Sequence, residues 1–260
     1  MNVIVCVKQV LISTESLKLT GDGKIVEKGM SYDINEWDIY ALEEAILIKE
    51  KYGGSVTVIT IGPETVDKML RGCLAKGADR AIRFWDPFVE GSDGFILAIT
   101  LSEIIRLFEY DLILFGAQAS DDGCAQIGPM VAQILAIPHA TLVTKLELVN
   151  NIAKVRRELE NGVDEIIEVD LPAAFAVQTG INRPRYAPLK GIMQAMKQVI
   201  PTLCLQDIEI LGHPSGNFIS RIQLERLYTP EIIRSALILD GTTDEATDKL
   251  LAVLSDKGLL

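Results

Sequence analysis

Positive charge is scarce in this chain, and long apolar runs are missing. The 260 residues include 25 lysines and arginines but 36 aspartates and glutamates, which gives a formal net charge of -11. Nucleic acids and anionic membranes attract basic proteins, so this balance argues against both as principal partners. No window holds the roughly 18 apolar residues of a membrane span. Residues 3–7 predict a strand and not a signal peptide, so we expect a cytoplasmic protein that is not embedded in a membrane.

Cysteine and histidine are also rare. The four cysteines form no C-x-x-C pair, which does not suit a zinc site and is too sparse for a disulfide framework: Cys6, Cys73, Cys124 and Cys204. We therefore expect a reducing compartment, with Cys6 and Cys124 as small buried side chains. A triad or metal site based on histidine would need His139 or His213, which suit structural and solvated roles better.

The signatures of several enzyme classes are absent. The chain contains no G-x-S-x-G, H-E-x-x-H or G-x-x-x-x-G-K-S/T, which excludes hydrolase, zincin and Walker-type interpretations. The first predicted strand is not followed by G-x-G-x-x-G, so a Rossmann dinucleotide site of the usual kind is unsupported. Without a convincing set of catalytic side chains, the sequence favours binding over catalysis.

What is present is an alternation of strands and helices. Four apolar or β-branched runs predict strands, and three stretches of helical periodicity separate them. The strands are predicted at residues 3–7, 56–61, 78–84 and 112–115, and the helices at 38–52, 64–76 and 93–109. This alternation indicates an α/β fold with a mostly parallel sheet flanked by helices. Glu43 and Glu44 fall on the polar side of the first helix, where we expect solvated carboxylates.

The pattern changes after residue 135. Extended segments at 141–149, 152–158 and 163–169 are separated by asparagine-containing turns and predict an antiparallel meander. Residues 172–178 can return to the sheet, after which two prolines and a glycine break regular structure. We therefore predict an α/β domain over 1–182 and a C-terminal arm over 183–260, which packs on the domain or embraces another subunit.

The stretch 111–130 predicts a buried strand, a loop of small residues and a helix start. Gly116 allows the chain to turn at the carboxyl end of the strand, the edge where parallel sheets bind ligands. Small residues let backbone N–H groups approach an anion, and the helix N-terminus favours negative charge. A phosphate cradle is one interpretation. An ordinary loop in which Asp121 and Asp122 cap the helix is the other, and both stay open from spacing alone.

Four segments together resemble the beta subunit of electron transfer flavoproteins. They are VCVKQV at 5–10, GAQASDDGCAQIG at 116–128, VRRELENG at 155–162 running on to Leu171-Pro172, and NRPRYAPLKGIM at 182–193. Their order and spacing cover the chain from residue 3 to about residue 200, so the resemblance is specific.

The resemblance implies a fold like that of the adenine-nucleotide alpha-hydrolases and a heterodimer with an alpha subunit that holds most of an FAD. This chain would bind AMP, which has no redox chemistry and acts structurally, while its arm clasps the alpha subunit. Electrons would come from acyl-CoA dehydrogenases of fatty acid beta-oxidation, or similar flavoenzymes, and leave to a membrane-linked quinone reductase. The protein would be an electron carrier and not an enzyme by itself.

The family's nucleotide site carries over position by position. The resemblance places these residues around the nucleotide: Cys6, Asn35, Glu36, Trp37, Asp38, Ile61, Gly116, Ala117, Gln118, Ala119, Ser120, Asp121, Asp122, Gly123, Cys124, Ala125, Gln126 and Ile127. Backbone amides, Ser120 and Gln126 would be phosphate neighbours, and the aspartate pair would shape the loop as caps. Leu189 matches an exposed leucine that docks on the dehydrogenase, with Lys190, Ile192 and Met193 beside it.

Two alternatives remain open. A branch of the family holds a second FAD in place of AMP and bifurcates electrons from NADH; residues 125–129 and 7–9 resemble that branch, whereas residues 11–14 do not. Ser13 stands where other members carry an aromatic residue near the flavin, and we assign it no redox role. From fold and composition alone, a stand-alone nucleotide-binding stress or sensor protein is the third interpretation.

Overall fold

The computed structural model describes residues 1–12, 18–21, 23–26, 30–208, 220–229 and 236–260. The interpretations of Ser13 and His213 fall on residues outside these ranges. The chain forms two compact units. One comprises Met1–Ser16 and Glu27–Glu225, and the other Leu17–Val26 and Arg226–Leu260.

The first unit is built on a nine-stranded sheet. The strands of the chain are β1 (Asn2–Cys6), β2 (Gln9–Ile12), β3 (Ser31–Ile34), β4 (Ser55–Ile61), β5 (Arg80–Phe84), β6 (Leu112–Gly116), β7 (His139–Val149), β8 (Ile152–Glu158), β9 (Asp164–Asp170), β10 (Ala173–Val177) and β11 (Thr202–Leu203). The sheet order is β11-β5-β4-β1-β6-β10-β7-β8-β9, and β2 pairs with β3 as a separate antiparallel hairpin. From β11 to β7 all neighbours are parallel, and β7, β8 and β9 form the predicted antiparallel meander.

Helices cover both faces of this sheet. In the described part of this unit the helices are α1 (Glu36–Tyr52), α2 (Asp67–Lys76), α3 (Gly94–Arg106), α4 (Ile127–Leu135) and α5 (Leu189–Ala195); the second unit contains α6 (Thr243–Asp256). Side chains of α1 and α2 pack into one apolar core layer, and those of α3 and α4 into the other. The α/β class with a mostly parallel sheet is therefore confirmed. No helix in the described part of the chain is long and apolar enough to cross a membrane.

Strand β6 is a continuous apolar run because both of its faces are buried. Leu112 and Leu114 belong to the core layer of α1 and α2, whereas Ile113 and Phe115 belong to that of α3 and α4. All four side chains are buried. A strand covered by helices on both faces has no solvated side, so its sequence does not alternate with polar residues.

The expectation for Glu43 and Glu44 is wrong. Both are buried, with 4% and 9% of their surface exposed, because the segment after β10 passes over this face of α1. Asn182 donates to Glu44 Oε2 at 2.9 Å, and Arg185 pairs with Glu43. Periodicity marks these positions as polar, but their partners lie about 140 positions further along the chain.

The second unit is small. Within it Leu19 and Ile25 form an isolated antiparallel bridge, and α6 begins at a capping box in which Thr242 and Glu245 bond each other's backbone amides. The assignment of 183–260 as an arm that clasps a partner stays a prediction; residues 183–225 belong to the first unit.

Candidate nucleotide site

The site is built at the carboxyl edge of the parallel sheet. Strand β6 lies between β1 and β10, so the carboxyl ends of all three meet there. Residues 117–126, which we name the cradle loop, leave β6 at this edge and lead into α4. Most of the loop is exposed: Gln118 and every residue from Ser120 to Gln126. Its backbone is therefore accessible to a ligand.

Asn35 ties the cradle loop to β1. Its amide Nδ2 donates to Gln118 O at 2.8 Å, and its Oδ1 accepts from Ser120 N at 3.1 Å. Its own backbone N donates to Lys8 O at 2.9 Å. With 1% of its surface exposed, Asn35 is a buried residue whose side-chain amide holds the backbone of the cradle loop in place. It shapes the loop, and it leaves the loop's outer side free.

Asp38 joins the ends of two neighbouring strands. Its Oδ2 accepts from Lys8 N at 2.7 Å and its Oδ1 from Gly116 N at 3.0 Å. Only 5% of the residue is exposed. Burial raises the pKa of the Asp38 carboxyl to about 7, against the opposing effect of these amide hydrogen bonds. Because each of its oxygens accepts from the backbone of a different strand end, the carboxyl acts as a structural clasp between β1 and β6.

Gly116 permits α1 to approach the end of β6. A Cβ at this position would lie closer than 3.0 Å to Asp38 Oδ1, Trp37 Cβ and Asp38 N. The Trp37 indole is fixed in turn, because its Nε1 donates to Gln178 Oε1 at 2.7 Å. Gln178 follows β10, so this bond connects the start of α1 to the third strand end at the site.

Lys8 is a site residue that the sequence interpretation missed. Its ammonium lies 2.7 Å from Asp121 Oδ1 and 2.8 Å from Asp122 Oδ2, and so connects the end of β1 to the cradle loop. Burial would lower the pKa of Lys8, but the hydrogen bonds that its ammonium donates to both carboxylates, with their negative charges, outweigh burial and raise the pKa. The available signal was the position of Lys8 directly after a buried strand, at the edge that the loop also reaches.

The expected capping role of Asp121 and Asp122 is wrong. Helix α4 begins at Ile127 with Gln126 as its N-cap, and that residue makes no side-chain capping bond. The two aspartates lie several residues earlier and bind Lys8, and Asp122 Oδ1 also accepts from Cys124 N at 2.9 Å. The pair does shape the loop, and the start of α4 keeps its amide groups for another acceptor.

The two cysteines of the site differ. Cys6 at the end of β1 is buried, and burial, with a smaller effect of Asp38, raises the pKa of its thiol far above the usual value. It behaves as a small apolar side chain. Cys124 is exposed, contrary to the expectation of burial. The reason is that it lies in the cradle loop, beyond the end of the sheet.

The remaining candidate residues lie in two regions, the carboxyl edge of the sheet and helix α5. Ile61 ends β4, the neighbour of β1, and Glu36 begins α1 with an exposed side chain. Together with Asn35 through Asp38 and residues 116–127 they line one edge of the sheet. The candidate docking residues lie instead on α5, which packs against α2: Leu189, Lys190, Ile192 and Met193. Leu189 is 74% exposed and Met193 58%.

The chemistry available at this edge is recognition of an anion. The cradle loop offers backbone N–H groups and α4 offers its positive end. The charge of Lys8 is already paired with Asp121 and Asp122. Among the described residues, no group of three or more His, Cys, Asp or Glu side chains could hold a metal ion. The groups that surround the loop hold backbone and do not form a nucleophile with its base. The donors at this edge suit a phosphate group.

Known proteins match the chain over nearly its whole length. The family model of the electron transfer flavoprotein domain matches residues 22–207. The electron transfer flavoprotein subunit beta of Methylophilus methylotrophus is 40% identical over 98% of both chains, and that of Thermoanaerobacterium thermosaccharolyticum 37% over all of both. The caffeyl-CoA reductase-Etf complex subunit CarD of Acetobacterium woodii is 34% identical, again over all of both chains. The chain therefore belongs to the electron transfer flavoprotein family, as a beta subunit.

Proposed function

We propose that this chain binds AMP in the cradle as a structural nucleotide and that it supports an FAD held mainly by an alpha subunit. The observation that carries the proposal is the buried Asn35, whose side-chain amide fixes the cradle loop through the backbone of Gln118 and Ser120 and leaves the exposed side of the loop accessible. An electron carrier needs a nucleotide held firmly and needs no acid–base pair of its own. The absence of catalytic motifs supports the same assignment.

The partners belong to the same proposal. Acyl-CoA dehydrogenases, or similar flavoenzymes, would reduce the FAD, and a membrane-linked quinone reductase would accept the electrons, as fatty acid beta-oxidation requires. The relative from Acetobacterium woodii bears the name of a caffeyl-CoA reductase complex, which supports a partner that acts on a CoA thioester. The four cysteines are free thiols, which supports a cytoplasmic location.

A nucleotide count tests the assignment of AMP. The purified heterodimer with its alpha subunit is denatured, and the released nucleotides are separated and quantified. We expect one FAD and one AMP per heterodimer. Two FAD and no AMP would contradict the proposal and support the bifurcating alternative, in which a second FAD occupies this chain. A colourless preparation without a second chain would instead support a stand-alone sensor.

Leu189→Ala tests the docking role of α5. Burying a leucine side chain contributes about 1.5–3 kcal/mol, so the KM of the heterodimer for a reduced acyl-CoA dehydrogenase is expected to rise at least about tenfold. The measurement is the rate of FAD reduction as the concentration of the heterodimer is varied, with bound FAD and AMP quantified in parallel. Both contents are expected to equal those of the unmutated protein.

Leu107→Ala is the matched control, because Leu107 is also exposed and lies at the end of α3, on the opposite face of the sheet from α5. Its KM is expected to be unchanged. Equal KM values for Leu189→Ala and the unmutated protein would exclude Leu189 as a docking anchor.

A further inference from the structure

The segment that carries the exposed docking residues is held at both ends. We name residues 182–198 the docking segment; it contains α5, and several large apolar side chains point outward from it. Tyr186 is 96% exposed, Leu189 74% and Met196 71%. Such a segment would be expected to move freely, yet hydrogen bonds anchor it to α1 before α5 and to α2 after α5.

Arg185 is the anchor to α1. Its Nε lies 3.0 Å from Glu43 Oε1, and its Nη1 and Nη2 lie 2.6 and 2.9 Å from the two carboxylate oxygens of Glu50. Its backbone N also donates to Glu43 Oε2 at 3.0 Å. Asn182 Nδ2 also donates to Glu44, the next residue of α1 after Glu43. One guanidinium thus binds the carboxylates of Glu43 and Glu50, which lie on the same face of α1.

Arg71 is the anchor to α2. Its Nη1 donates to Ala195 O at 2.7 Å and to Gln198 O at 3.1 Å. Ala195 is the last residue of α5, where backbone acceptors lack partners within the helix and a cation is favourable, and Gln198 lies three residues beyond it. A single nitrogen of Arg71 therefore holds residues 195–198, the end of the docking segment, against α2.

Gly191 fixes the distance between the two helices. A Cβ at this position would overlap the carbonyl oxygen of Ala75 on α2. The backbone of α5 therefore lies directly against the end of α2, with Arg71 on the same helix four residues earlier. Contact between backbones leaves little room for α5 to slide or tilt.

We propose that Arg71 and Arg185 are positioning residues for docking: together they hold α5 in the geometry that presents Leu189 before a partner binds. The proposal rests on the proposed docking role of α5. A surface that is already ordered loses less conformational entropy when it binds, so the affinity of docking depends on these anchors although neither touches the partner. Electron transfer within the bound complex does not depend on them.

Arg71 gives the cleanest test, because its removal leaves only backbone carbonyls that water can bond. In the FAD-loaded heterodimer, Arg71→Met is expected to raise the KM for a reduced acyl-CoA dehydrogenase about tenfold, with kcat and nucleotide content unchanged. Arg71→Lys is expected to recover part of the loss, since an ammonium can still donate to one carbonyl. Lys68→Met removes another cation from α2 and is the matched control, with no expected change.

Hydrogen exchange separates positioning from a general structural role. In Arg71→Met the amides of residues 192–198 are expected to exchange at least about tenfold faster, while those of the cradle loop keep their rates. Arg185→Met would leave Glu43 buried without its partner, so Glu50→Gln replaces it as the test of the other anchor. Glu50 is half-exposed, and the variant is expected to raise KM about threefold.

Each outcome has one meaning. Faster exchange in residues 192–198 with an unchanged KM would overturn the proposal, because α5 would then dock without being held. Loss of nucleotide or a fall in kcat in Arg71→Met would also overturn it and show a general structural role. If Leu189→Ala leaves KM unchanged, the docking role itself fails, whatever the exchange rates show.

Discussion

Gly116→Ala is expected to destabilise the protein by about 1–3 kcal/mol and to lower its affinity for the nucleotide at least about tenfold. The added methyl group would lie closer than 3.0 Å to Asp38 Oδ1, Trp37 Cβ and Asp38 N, so α1 must move away from the end of β6. That movement breaks the bond from Gly116 N to Asp38 and displaces Asn35, which holds the cradle loop. One added methyl group at the end of β6 is therefore expected to alter the position of the cradle loop.

The measurements are urea denaturation and the amount of AMP that the purified heterodimer retains. Gly72→Ala is the matched control, because a Cβ there meets nothing within 4 Å and α2 favours alanine by about 0.5–1 kcal/mol. It is expected to keep its nucleotide and to be as stable as the unmutated protein or slightly more so. A Gly116→Ala protein with normal AMP content would show that the contact of α1 with β6 does not shape the cradle.

Asp38→Asn is expected to gain stability relative to the unmutated protein as pH rises. The carboxyl has a pKa of about 7 in the folded protein against 3.8 ordinarily, so the folded state binds this proton more tightly. The stability gained from binding this proton is fully present below about pH 4 and is lost as pH rises towards 7. Between pH 5 and pH 8 the unmutated protein should therefore lose about 2.5 kcal/mol that the variant, which has no titrating group here, retains.

The quantity to measure is the difference in free energy of unfolding between Asp38→Asn and the unmutated protein at several pH values. Asp33→Asn removes a carboxyl from the exposed strand β3, and its difference is not expected to follow the same course. A difference for Asp38→Asn that falls as pH rises would mean that the amides of Lys8 and Gly116 hold the carboxylate more strongly than burial opposes it.

The elements that periodicity predicted were those whose burial is set along the chain itself. Strand β6 was predicted at 112–115 and spans Leu112–Gly116, and the third helix was predicted at 93–109 and spans Gly94–Arg106. Its first residue follows Asp93, whose side chain accepts from Ile96 N at 3.0 Å as an N-cap does. Local pattern and local capping suffice for such elements, since every group involved lies within one turn or one strand.

The polar groups were predicted less well. Glu43 and Glu44 have the sequence context of solvated carboxylates, and only the passage of residues 182–185 over α1 buries them. Asp121 and Asp122 have the composition of helix caps, yet Lys8 binds both from 113 and 114 positions away. A charged side chain takes the partner that the fold brings near, and sequence spacing does not contain that information.

By itself, the sequence determined the α/β class, the place of the cradle loop after a buried strand and, through four motifs, the family. Those features depend on the periodicity and composition of continuous segments, which the chain carries locally. Only the tertiary structure decided that Asn35 holds the cradle loop by its backbone, that Asp38 joins the ends of β1 and β6, that Lys8 belongs to the site, and that Arg71 and Arg185 anchor α5. Each of these bonds joins residues far apart in the chain, and their distances are set by how the helices and strands pack.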